Sequence, residues 1–118
     1  MFLKPIFGND NEVKFEIYRE VIDSNAKKLI LVATMEHKVF IGKLQYFIKI
    51  GGYGISRENM QDALLDLEEK ITTDILEEVT ELAKAGQTIS AVALYRNKLN
   101  TNSTLHEALS YVRNLNNS

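Results

Sequence analysis

Two groups of residues in this chain could do binding chemistry. The first is a basic and aromatic stretch, Lys43, Gln45, Phe47 and Lys49, followed by Gly51, Gly52, Tyr53, Gly54, Ile55, Ser56 and Arg57. Lysines interleaved with an aromatic on one strand face can meet phosphates while the ring stacks a base. Backbone N–H groups of a glycine-rich turn leading into a helix can hold an anion, with Arg57 adding charge. The turn is neither GxGxxG nor GxxxxGK[ST], and it lacks the phosphate-cradling lysine. Its plainer reading is a tight connector, and lysines on an outer strand also serve to prevent edge pairing. Lys43, Phe47, Lys49, Gly52, Gly54 and Arg57 are therefore the candidates for an anion or nucleic-acid site, held as the alternative reading.

The second group is Glu77, Glu78 and Glu81 with Tyr95 and Arg96. Carboxylates at helical spacing form a solvated face or a surface for a basic partner. An aromatic beside an arginine makes a good interface anchor, and its apolar body can equally cover the edge of a core. These five residues are the candidates for a protein interface.

Enzymatic and metal chemistry find less support. His37 and His106 are the two histidines, far apart and without a partner at helical spacing. No HExxH, Asp-rich calcium loop or GxSxG elbow occurs. The carboxylates Asp62, Asp66, Glu69, Glu77, Glu78 and Glu81 recur at helical spacing rather than as a pair with split acidities. No catalytic residue, metal ligand or cofactor site is expected. With no cysteine, thiolate catalysis, disulfides and cysteine zinc sites are excluded.

The elements that must position these residues follow from periodicity. Val13, Phe15 and Ile17 alternate with polar residues, which predicts a strand, with a helix over 13–22 as competitor. Asp23, Ser24 and Asn25 read as a turn. Residues 29–35 read as an inner strand, 36–38 as a hairpin turn, and 39–50 as a further strand with a bulge or close approach at Gly42. Leu44, Tyr46, Ile48 and Ile50 share one face, and Lys43, Gln45, Phe47 and Lys49 the other.

From Ser56 the period changes to 3.6. Met60, Ala63, Leu64, Leu67 and Ile71 form one helix face, with Ser56 as N-cap and Glu58 in the first turn. Thr72, Thr73 and Asp74 are a possible interruption, with Asp74 and Glu77 at capping-box spacing. Whether 56–71 and 74–85 are continuous stays open. The next helical stretch carries Ile75, Val79, Leu82 and Ala83 and stops at Gly86. Thr88 caps a helix whose face includes Ile89, Val92, Ala93 and Leu99. Thr104 and Glu107 form a capping box for a last helix with Leu105, Ala108, Leu109 and Val112 on one face. Asn116, Asn117 and Ser118 read as a frayed end.

Strands first and helices afterwards predict an α+β fold: a small antiparallel sheet in the N-terminal half, then three to four amphipathic helices. The 118 residues fit a single domain, with a possible sub-division into 1–71, sheet plus helix, and 74–115, a helical hairpin module. Net charge is −2, unevenly spread: residues 1–55 carry +2 and residues 56–118 carry −4. No segment has the dense basic character of a nucleic-acid binder. No secretory signal and no apolar run long enough to span a membrane is present, so a cytoplasmic location without membrane partners is the expectation.

Residues 86–112 resemble the helical hairpin of the bacterial ribosomal stalk protein's C-terminal domain. Ile89, Val92, Arg96, Leu105, Glu107, Ala108 and Val112 match its pattern. The family's glycine-containing turn is replaced by the longer stretch 99–103, and the lysine after Glu-Ala is Leu109. The lysines with which that domain meets translation factors are mostly absent. The resemblance implies a compact protein-binding hairpin and does not extend to factor recruitment. The leading expectation is a non-enzymatic, bacterial interaction module that meets a protein partner or a second copy of itself.

Overall fold

A computed structural model describes residues 1–7 and 13–116. It contains a five-stranded antiparallel sheet followed by three helices, an α+β fold. The strands are β1 (Phe2–Phe7), β2 (Val13–Asp23), β3 (Ala26–Phe40), β4 (Lys43–Ile50) and β5 (Tyr53–Arg57), in the spatial order β1-β2-β3-β4-β5. The helices are α1 (Met60–Lys84), α2 (Thr88–Leu94) and α3 (Leu105–Asn116), with a π-helical segment at Tyr95–Leu99 continuing α2. Asn117 and Ser118, read from sequence as a frayed end, lie outside the described residues.

Residues 13–22 are strand, as the alternation indicates. β1 was not foreseen. It pairs with β2 from Phe2↔Tyr18 to Phe7↔Val13 and is an edge strand. That position tolerates Pro5, which cannot donate to a ladder.

The β2–β3 connection is Ser24 and Asn25, with φ of 52° and 65°. Two central residues at positive φ suit the twist of a two-residue hairpin. The next hairpin turn is not at residues 36–38, which lie inside β3. It is formed by Ile41 and Gly42, with φ of 53° and 77°. Glycine adopts that backbone freely, and Gly42 marks a turn rather than a bulge. A β-branched residue there is an outlier, at a cost of about 1–2 kcal/mol.

The chain forms two compact units. One comprises Met1–Arg19 with Leu29–Glu69, the other Glu20–Lys28 with Lys70–Ser118. In the first, β3 and β4 pair through Met35↔Ile48, and β4 and β5 through Ile48↔Ile55. Met35, Ile48 and Ile55 are buried, and so are Ile17 and Ala33. Ala63 and Leu67 of α1 are fully buried on one side of the helix. Ion pairs Arg57–Asp66 (2.6 Å) and Arg19–Glu68 (3.6 Å) tie β5 and β2 to that part of α1. Both arginines sit at strand positions in phase with Ile55 and Ile17, so the helix covers the sheet face those residues form.

In the second unit, Val79, Ala83, Ala91, Val92, Ala108 and Val112 are buried together. Ile75, Leu82, Leu94, Tyr95, Leu109, Tyr111 and Leu115 pack around them. Three alanines among six core residues let helix backbones approach closely. The end of α1 is closed by Gly86 at φ 79°, with Gly86 N–H bonded to Ala83 and Gln87 N–H to Leu82. That left-handed stop is what Gly86 promised. In the same unit the β2–β3 end carries the pairs Lys27–Glu20 (3.7 Å) and Lys28–Asp23 (3.3 Å).

Several helix boundaries differ from expectation. Ser56 belongs to β5, and Asn59 caps α1, its Oδ1 accepting from the N–H of Gln61 (2.8 Å) and Asp62 (3.4 Å). Such a cap contributes about 0.5–2 kcal/mol. α1 runs unbroken through Thr72, Thr73 and Asp74. Asp74 caps nothing and accepts an ion pair from Lys70 four residues earlier (3.0 Å). Thr88 begins α2 without capping it, since Gln87 occupies the cap position and no side chain bonds there. Thr104 does cap α3, its Oγ1 accepting from Glu107 N–H (3.1 Å). On the helix faces, Ile89 is 88% exposed and Leu105 and Ala93 are exposed. Ala91 takes the buried place expected of Ile89.

Candidate functional site

The outer side of α1 in the second unit carries the acidic candidates. α1 holds eight carboxylates against two lysines. Asp66, Glu68 and Asp74 are engaged in ion pairs. Among the described residues, Glu77, Glu78 and Glu81 make no ion pair within 4 Å, and all three are exposed. Glu77 and Glu81 stand one turn apart, where like charges destabilise a helix by about 0.2–0.5 kcal/mol. Together with Thr73, Leu76 and Thr80 they line a shallow depression of about 360 Å³. Its floor is the half-buried Leu76 with the threonines beside it, and its rim is anionic.

Tyr95 and Arg96 stand in the π-helical segment, not on a regular helix shoulder. The Tyr95 ring stacks on Tyr111, with centroids 4.5 Å apart and planes 19° from parallel. It packs against the core of the hairpin. Burial, with Tyr95 beside it, pushes the Tyr111 phenol above its ordinary range. Tyr95 is thus a packing residue whose hydroxyl lies 3.5 Å from Asn100 Nδ2, and Arg96 beside it is half-buried. The structure does not bring these two into the acidic depression.

The alternative group is partly assembled in the first unit. Phe47, Lys49, Gly52 and Gly54 line one depression of about 290 Å³, with Gly51 and Tyr53. Lys38 Nζ lies 5.0 Å and Lys49 Nζ 5.9 Å from the Phe47 ring centre. Phe47 also lies over Gly54, where a Cβ would sit 3.4 Å from the ring. Lys38 was not foreseen because residues 36–38 read as a turn. In β3 it flanks Phe47 from the neighbouring strand, across the pair Glu36↔Phe47. Glu36 draws on the same cations: its hydrogen bond from Lys38 holds it below the usual carboxylate range, with Lys14 and Lys49 adding to that. Lys43 pairs with Glu58 (3.3 Å) and Arg57 with Asp66, so neither joins the Phe47 cluster. Ser56 donates to Gln45 on the same sheet face.

A third surface had no signal as a site. Val39 and Leu44 face each other across β3 and β4 and are 67% and 55% exposed. Ile41, at the turn, is 84% exposed. From sequence all three fall within a single strand, 39–50. Next along the same face His37 stacks on Tyr46, with ring centres 4.1 Å apart.

Among the described residues no group of three or more metal-ligating side chains comes together. No helix of the described residues is long and apolar enough to cross a membrane. Comparison with protein-family models, curated proteins and solved structures finds no match for this chain.

Proposed function

We propose that this chain is a protein–protein interaction module and that it docks partners on the outer side of α1 in the second unit. The observation that carries this reading is the unpaired trio Glu77, Glu78 and Glu81, of which Glu77 and Glu81 line the depression with Leu76. Elsewhere on α1, Asp66, Glu68 and Asp74 are matched by arginine or lysine. Here the carboxylates are left to repel one another beside an apolar floor. A basic, amphipathic partner segment relieves that repulsion and covers Leu76. Charge of this kind sets association rate and partner choice more than affinity. The resemblance of residues 86–112 to a protein-binding hairpin supports the same class of function. In this reading Tyr95 holds the hairpin together and is not itself an anchor.

The test uses a lysine- and leucine-rich amphipathic peptide followed by fluorescence anisotropy. Binding should weaken as salt rises. Replacing Glu77→Lys, Glu78→Lys and Glu81→Lys together should slow association about tenfold or more at low ionic strength. Equal kinetics for the variant and the parent would contradict the reading.

A second reading rests on Phe47 between Lys38 and Lys49, which is the geometry of a small stacking platform for a nucleotide or single-stranded nucleic acid. It calls for oligonucleotide binding with a linear dependence of log affinity on log salt, lost in Phe47→Ala. The carboxylate of Glu36 beside both lysines weighs against it.

A further inference from the structure

We propose that the acidic depression on α1 receives the β3–β4 hairpin tip of a second copy of this chain, so that copies associate head to tail. The inference rests on the reading of α1 as a docking face and names the partner. The tip and the depression complement each other in two respects. Val39, Ile41 and Leu44 form an exposed apolar end flanked by Lys38, which is ion-paired with Glu36 (3.0 Å), and by Lys43. The depression offers Leu76 as an apolar floor, with Glu77 and Glu81 at its rim. Lys43 is bound to Glu58, but both side chains are largely in water. An ion pair of that kind is worth little and is readily exchanged for another carboxylate.

Ile41 adds an independent observation. Its φ of 53° is one that asparagine or glycine adopts at far lower cost. Its side chain is 84% exposed, so packing within the chain does not repay that strain. A strained residue with an apolar side chain offered to solvent marks a contact made outside the fold. The two surfaces differ, so each copy would use its tip on one neighbour and its α1 on another. Such heterologous contacts form either a closed ring or an open chain. One hairpin tip covers little area, so association is weak and concentration-dependent.

Sedimentation velocity of the full chain over a concentration series tests this. Association should appear at low salt and fade at about 0.5 M salt, where charge is screened within a few ångströms. Ile41→Asn should raise the melting temperature, because asparagine suits the turn, and weaken association about tenfold. That gain in stability separates loss of contact from loss of fold. Lys43→Glu alone and Glu77→Lys with Glu81→Lys alone should each associate poorly, and mixing the two proteins should restore assembly. A chain that is monomeric at every concentration overturns the proposal, as does Ile41→Asn that associates like the parent. If the parent stays monomeric yet binds the lysine–leucine peptide at α1, self-docking fails while α1 remains a docking face. If it stays monomeric and binds phosphatidylglycerol vesicles through Ile41, the tip belongs to a lipid surface and self-docking fails.

Discussion

Tyr111 shows how one side chain ties stability to pH. Its phenol is held above the ordinary value of 10.0 by burial and by the neighbouring Tyr95. A raised value in the fold means that the folded chain keeps this proton longer than the unfolded chain does. The associated stability is fully present below pH 10 and is lost as pH rises through the folded value. Tyr111→Phe keeps the stack on Tyr95 and removes the ionisation. Thermal melts between pH 9 and 11.5 should therefore fall more steeply for the parent than for Tyr111→Phe, and parallel curves would show that folding does not raise the phenol's value. The residue scale is also where the sequence was most ambiguous. Tyr95 and Arg96 have the composition of an interface anchor, and whether such a pair faces outward depends on the tyrosine opposite, which spacing does not reveal. Glu77, Glu78 and Glu81 were legible because repeated like charge without an interleaved base survives any arrangement of the helix.

At the scale of elements, period proved a better guide than punctuation. The alternation of β2 and β4 and the stripe of α1 are read directly from apolar spacing. Turns were harder. Glu36, His37 and Lys38 are polar enough to suggest a turn, but they lie in β3, where Glu36 and Lys38 bond to each other across one strand face (3.0 Å). The real turn takes Ile41, a residue that strand propensity places elsewhere. The apolar tip was hidden for the same reason: Val39 and Leu44 match a core strand, and only the turn position shows that they overrun the covered sheet. β1 was missed because six residues with a proline, apolar on both faces apart from Lys4, give no alternating signal. On α1 the buried positions Ala63, Leu67, Ile71, Val79 and Ala83 recur at multiples of four. Thr72 and Thr73 thus lie within one continuous helix rather than at a break. Thr73→Pro tests this, since an interior proline costs about 3 kcal/mol or more and one in a loop costs far less. Chemical denaturation should show that full loss, and a change below about 1 kcal/mol would restore the two-helix reading.

For the molecule as a whole, the sequence conveyed class and charge distribution more fully than site. An α+β chain with sheet first and helices after follows from the change of period near the end of β5. The negative charge of α1 was visible as a block, while its division into paired and unpaired carboxylates needed Arg19 and Arg57 brought from β2 and β5. That division leaves Glu77, Glu78 and Glu81 as the unpaired carboxylates of α1 in the second unit. The most direct measurement is an amide chemical-shift map of the full chain titrated with the lysine–leucine peptide. The account predicts perturbations concentrated over residues 73–81 and abolished by the triple lysine variant. Perturbations centred on Phe47 and residues 51–54, or none along α1, would contradict it.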